Sequence, residues 1–155
     1  LAGVGEVWCN FPAVGAEHRA RLIESVFKPL LNGKLFDNPA EAFEFLTRKT
    51  WVLGLQTGEF GPMAQCIAGI DIALHDLMAR RDKIPLWKYL GGVSDSVKTY
   101  ASGINPANAE KTAEMALEAG HNALKLKIGF DSAQDIQNIK SLRALLGENG
   151  ELMVD

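Results

Sequence analysis

The chemistry this sequence offers is concentrated in two lysines and one carboxylate. In Ala123-Leu-Lys-Leu-Lys-Ile-Gly129, ammonium and apolar side chains alternate. Successive side chains of an extended strand point to opposite faces. Lys125 and Lys127 therefore share one face, and Leu124, Leu126 and Ile128 share the other. A solvated lysine face in an antiparallel sheet would give the same alternation. Residues two apart lie about 6.6 Å from each other along a strand. At an effective dielectric near 20, two ammonium groups at that separation repel by about 2.5 kcal/mol. Repulsion and burial both depress a lysine pKa, and a lysine needs that to act as a general base near neutral pH. Lys127, nearer the C-terminal end of the strand, is the expected base. Lys125 is the neighbour that tunes it and can pair with a substrate carboxylate. Asp155 follows the apolar run Leu152-Met-Val. A carboxylate there is costly unless hydrogen-bonded, paired or metal-bound, although a helix N-cap would also account for it. One carboxylate alone does not define a magnesium site.

The surrounding elements must position these groups. Strand patterns begin at Val97, Ala123 and Glu151, 26 and 28 residues apart. Between them lie a helix expected to be capped by Asn105-Pro106 and to run to Gly120, and another from Asp131-Ser132 to Gly147. This β-α-β-α-β alternation implies parallel strands with right-handed crossovers, in a doubly wound sheet or a (β/α)8 barrel. Parallel strands are covered on both faces. In a barrel the lysines would face the interior, and active sites form at the C-terminal strand ends. Eight such units need roughly 216 residues, so three strands would be less than half of a barrel.

Residues 1–95 read as mostly helical. Leu22, Ile23, Val26, Phe27 and Leu30 form an amphipathic stripe between Glu17 and Leu31, which Asn32-Gly33 ends. Asn38-Pro39 reads as an N-cap with proline at the first helical position, opening a helix to about Trp51. A third helix, from about Pro62 to Arg80, is apolar nearly all round and is expected to be central to its domain. A short turn-rich segment from Ile84-Pro85 closes with Leu90-Gly91-Gly92.

Composition narrows the function classes. The chain has 155 residues, 47% hydrophobic and 23% charged, with a net charge of −3. Those values suit a globular domain and argue against a nucleic acid as partner. No apolar run approaches the roughly 18 residues of a membrane span. The two cysteines, Cys9 and Cys66, form neither a disulfide framework nor a metal-ligand spacing, which points to a reducing, cytoplasmic compartment. The start at Leu1 and the stop inside an apolar run lead to the expectation of a fragment. Asp71 and His75 share a helix face at i, i+4, where a structural hydrogen bond is favoured over a metal site. His18 and His121 lie near helix ends. Gly3-Val-Gly5 is too short for a dinucleotide fingerprint, and no P-loop, nucleophile elbow or paired CxxC is present.

Four segments taken in order carry a resemblance. Gly69-Ile-Asp71-Ile-Ala-Leu-His-Asp76, Ile84-Pro-Leu-Trp-Lys-Tyr-Leu-Gly-Gly92, Lys125-Leu-Lys127 and Leu152-Met-Val-Asp155 together resemble the enolase superfamily. More narrowly, they resemble its mandelate racemase and muconate lactonising group. The resemblance implies an α/β chain: an α+β capping domain over 1–95, then the start of a (β/α)8 barrel over 96–155, truncated after the third strand. It implies Mg²⁺ and abstraction of the proton α to a carboxylate, with the metal stabilising the enediolate. Lys127 matches the family's base, Lys125 the first lysine of its Lys-x-Lys motif, and Asp155 its first metal-binding carboxylate. The remaining acidic ligands would lie beyond Asp155. A cap loop at about Asn10–Gly15 would bring Asn10 and Phe11 to substrate, an ordinary surface loop being the other reading. The expected activity of the intact parent is dehydration of a sugar acid, with racemisation or cycloisomerisation as the alternative. The parent is expected to be a homo-oligomer whose partner is a small-molecule carboxylate. A non-catalytic piece that associates through exposed apolar surface is the reading from another class.

Overall fold

The computed structural model describes residues 1–155, which divide into two compact units, Leu1–Asp95 and Ser96–Asp155. In the first unit α1 (Gly15–Leu22) continues through a π turn (Ile23–Phe27) into α2 (Lys28–Leu31). The expected amphipathic stripe is the buried one. Phe27 is fully enclosed with Leu46, Met63, Cys66 and Ile67, and Leu22, Ile23, Val26 and Leu30 pack around them. Gly33, at φ +71°, ends the segment.

The start of α3 (Pro39–Thr57) matches the sequence signal. The Glu41 amide donates to Asn38 Oδ1 at 3.0 Å, and Glu41 Oε2 accepts from the Asp37 amide at 2.9 Å. Two donors without helical partners are thereby satisfied reciprocally. The expected end near Trp51 is too early. Leu53 joins the core, and the helix stops only at Gly58, at φ +71°. Gly54 is buried against the Phe60 ring, from which a Cβ would lie only 2.9 Å. Next, α4 (Phe60–Asp82) starts earlier than Pro62, since a proline in the first turn removes an amide that has no intrahelical partner anyway. It packs on α1, α3 and α5 (Leu86–Tyr89), while Ile72 stays 45% exposed.

Gly3-Val-Gly5 has a packing explanation. A Cβ on Gly3 or Gly5 would sit 2.0 Å from the carbonyl oxygens of Ala73 and Gly69, so only glycine lets this strip of backbone lie on α4. Between them the Val4 amide donates to Asp76 Oδ2 at 2.8 Å, and Arg80 Nε donates to the same oxygen at 2.7 Å.

The second unit is a parallel sheet in the order β1-β2-β3, with β1 (Ala101–Ile104), β2 (Ala123–Leu126) and β3 (Glu151–Val154). β1 is shorter than the pattern from Val97 suggested, and its register shifts between Ala101 and Ile104. Gly103, at φ +82°, lies in that irregularity, after which Ile104 is fully buried. The helix α6 (Ala109–Glu118) is capped at Asn108, not at Asn105-Pro106, because Asn108 takes the left-handed conformation at φ +59° that turns the chain into the helix. The start of α7 (Ser132–Leu146) is as expected, with Asp131 Oδ1 accepting from the Gln134 amide at 2.9 Å. Ile104, Ala109, Ala113, Leu124, Leu126 and Leu142 form the core of this unit. No helix of the chain is long and apolar enough to cross a membrane.

The hydrogen bond from the Val4 amide, helped by Arg80, holds the Asp76 carboxyl below its ordinary range. A carboxyl lowered in this way favours the folded state above its unfolded pKa. The contribution disappears as pH falls through the lower folded value. Asp76→Asn should therefore flatten the acid limb of a plot of melting temperature against pH. Identical acid limbs for the two proteins would remove the Val4–Asp76 tie from the account.

Candidate active site

The site is built on the C-terminal ends of β2 and β3. Pairing continues past the strand cores: the Lys127 amide donates to Ile104 O at 2.9 Å and the Ile128 amide to Asp155 O at 2.9 Å. The Asp155 amide donates in turn to Leu126 O at 3.0 Å. Leu124 and Leu126 are fully buried in the core they share with α6 and α7 residues. Alternation sends Lys125 and Lys127 to the other face. Lys125 is half-buried and Lys127 exposed.

Parallel register places Lys125 beside Met153, so the side chain two residues further along β3 reaches the lysine. Lys125 Nζ lies 2.8 Å from Asp155 Oδ2 and 5.4 Å from the centroid of the Tyr100 ring. The hydrogen bond from Lys125 lowers the Asp155 carboxyl, and the charge of Lys127 adds to this. The same bond raises Lys125. The carboxylate at hydrogen-bond distance outweighs the desolvation that opposes it. Tyr100 was missed by sequence reasoning. Its place follows from the strand register: Ala101 is the partner of Leu124, which puts the preceding residue on the lysine side.

The other candidates are placed as follows. Asn10 and Phe11 are exposed in the irregular segment before α1, and they belong to the first unit. His75 Nε2 lies 3.6 Å from Asp71 Oδ1, and its ring meets the Tyr89 ring edge-on at 5.8 Å, an arrangement internal to the helical unit. His18 pairs with Glu59 at 3.1 Å. Burial pushes the Cys66 thiol up to about 11, leaving it a packing residue. No group of three or more His, Cys, Asp or Glu side chains comes close enough to hold a metal ion. Asp155 has the oxygen-donor chemistry that Mg²⁺ takes, but one carboxylate paired to an ammonium is not a cage. These residues alone do not make a magnesium site. They make a face that carries two lysines and a carboxylate, with Lys125 paired to Asp155 and Lys127 exposed beside them.

The sequence profile of the mandelate racemase / muconate lactonizing enzyme N-terminal domain matches residues 1–91. The chain belongs to this family, within the enolase superfamily. Among its relatives is the 3,6-anhydro-α-L-galactonate cycloisomerase of Streptomyces coelicolor, 33% identical over 89% of the chain and 40% of the relative. Another is the L-talarate/galactarate dehydratase of Salmonella typhimurium, 34% identical over 94% of the chain and 39% of the relative. A crystal structure of a mandelate racemase/muconate lactonizing enzyme from Bordetella bronchiseptica is 56% identical, with a TM-score of 0.95 over 99% of the chain and 42% of that protein. A Streptomyces coelicolor racemase solved with bound magnesium is 28% identical, with a TM-score of 0.85 over 99% of the chain and 46% of that protein. The chain thus spans less than half the length of the family members it matches. The architecture is a helical capping domain followed by three parallel strands that begin a barrel.

The Lys125–Asp155 pair predicts a titration outcome. In Asp155→Asn, Lys125 loses the partner that raises it and should titrate at lower pH, back toward an ordinary lysine. Carbon-13 labelled lysine NMR reads this directly, and an unmoved Lys125 titration would exclude the pair.

Proposed function

We propose that this chain supplies the base-bearing part of a magnesium-dependent enzyme that removes the proton α to a carboxylate, and that the overall reaction is dehydration of a sugar acid. The observation that carries the reading is the set Lys125, Lys127 and Asp155, at neighbouring parallel strand ends and turned away from the α6/α7 core. The dehydratase among the relatives supports the substrate class.

In this reading the neutral Lys127 amine takes the α-proton, and the electron pair left on carbon is delocalised into the carboxylate. Lys125, kept charged by Asp155, pairs with the substrate carboxylate and opposes the growing negative charge. Asp155 would be one of the oxygen donors to magnesium, with the other donors supplied from outside these residues, and the metal when bound would add positive charge beside the substrate carboxylate. The electron pair then expels the β-hydroxyl, which takes the proton held on Lys127 and leaves as water, so the amine is neutral again, and the enol tautomerises to a 2-keto-3-deoxy acid. Asn10, whose amide suits a hydroxylated ligand, and Phe11 are the substrate-binding residues proposed in the first unit. The enzyme is placed in the cytoplasm, as a homo-oligomer.

The test uses the full-length protein with Mg²⁺ and a panel of sugar acids in D₂O, followed by NMR. The expected result is loss of water with a keto-deoxy product. Deuterium at the α-carbon without loss of water would replace dehydration by racemisation, and a cyclised product would replace it by cycloisomerisation. Turnover of no acid at all would favour the association reading. Lys127→Ala should lower α-proton removal by about 10²–10⁴-fold, the usual contribution of a positioned general base. Near wild-type exchange would exclude Lys127 as the base. Light scattering of the same protein should give more than one subunit, and a monomer would overturn the oligomer.

A further inference from the structure

The core stripe of α7 contains two polar residues that the chemistry above does not use. Asp135 is 9% exposed and Asn138 is 7% exposed, on the same face as the fully buried Leu142. An apolar side chain at either position would avoid the cost of burying a polar group. Each instead holds a loop that leaves the C-terminal end of a strand. Asp135 Oδ2 accepts from the Gly129 amide at 2.8 Å, two residues after Lys127, while Oδ1 is buried with no protein partner. Asn138 Nδ2 donates to Pro106 O at 3.0 Å, two residues after Ile104, and its Oδ1 accepts from Gln134 Nε2 at 2.9 Å.

Both anchors lie two residues beyond one backbone contact. The Lys127 amide donates to Ile104 O, so the residues tied down by Asp135 and Asn138 flank the two strands on which Lys127 is hung. Gly129 adopts φ +96°, a conformation few side chains tolerate, so the turn after Lys127 requires holding. Helix capping does not explain Asp135. Asp131 already caps α7 through the Gln134 amide, whereas the Asp135 oxygen reaches outside the helix to Gly129.

We propose that Asp135, supported by Asn138, is a positioning residue that fixes the strand end carrying Lys127 and so sets the reach of its amine. The proposal rests on Lys127 being the base. Catalytic groups must be held within about 0.5 Å of productive geometry, and a misplacement of about 1 Å can cost 10²-fold in rate. The effect therefore falls on kcat rather than KM.

The experiment compares Asp135→Ala, Asp135→Asn and Ile139→Ala in the full-length magnesium-loaded enzyme. Ile139 lies on the same helix and packs at the core edge, so it serves as the control for simple destabilisation. Three quantities are read: melting temperature, the split between kcat and KM, and hydrogen exchange at the Gly129 amide. Asp135→Ala should accelerate Gly129 exchange and lower kcat by roughly 10–100-fold with KM little changed. Asp135→Asn keeps an acceptor oxygen and should restore most of both. If Asp135→Ala does not fold, Asp135→Leu fills the space and still leaves the Gly129 amide without its acceptor. A fall in kcat no larger than in Ile139→Ala, or failure of Asn to rescue, would overturn the positioning role. Unchanged Gly129 exchange would overturn the anchor itself. Accelerated exchange in Asp135→Ala, together with full activity in Lys127→Ala, would keep the anchor and reject Lys127 as the base.

Discussion

The two-faced character of β2 is the constraint on which the second unit depends. Leu124 and Leu126 are fully buried with Leu142 and the alanines of α6, and the same alternation puts Lys125 and Lys127 on the opposite face. Each buried leucine contributes about 1.5–3 kcal/mol relative to exposure. A one-residue slip would expose both leucines and press two ammonium groups into an apolar core, at several kcal/mol per unpaired charge. The orientation of the candidate base is thus a by-product of packing. The residues that form the core are also the ones that aim the site.

The ladder then decides which charges meet. Parallel pairing of β2 with β3 sets Lys125 opposite Met153 and brings the carboxylate of Asp155 to its ammonium. That contact favours the cationic form of Lys125 and leaves Lys127 outside the hydrogen-bonded pair. The different surroundings of the two lysines follow from a difference of two positions along the chain.

Close backbone approach plays a comparable role in the helical unit. Glycines at 3, 5 and 69 allow the N-terminal strip to lie directly on α4, where Asp76 captures the Val4 amide. Family membership places this helical unit in the capping domain, and curated relatives include dehydratases and cycloisomerases.

Much of this was legible in local signals. Asn38-Pro39 and Asp131 announced their helices because a side-chain oxygen bonding an amide within three residues is local chemistry. The alternation in Ala123–Ile128 exposed the two faces of β2, and the repeat spacing exposed the parallel strands. The end of α3 was misplaced because Leu53 and Gly54 are held by packing against residues of the next helix, which the periodicity within α3 does not reveal. The cap at Asn108 and the irregularity at Gly103 depend on backbone conformations that residue type permits but does not require.

The candidate site divides along the same line. The sequence by itself determined which residues of β2 share a face, that Asn38 and Asp131 cap their helices, and which family the motifs resemble, because these follow from short-range periodicity and hydrogen bonding. Only the tertiary structure decided that Lys125 spends its charge on Asp155, that Tyr100 stands beside it, and that Asp135 and Asn138 hold the strand ends. Those partners are separated by up to 32 positions along the chain, as for Asn138 and Pro106. They meet only after strand register and helix packing have placed them, and no local pattern encodes that placement.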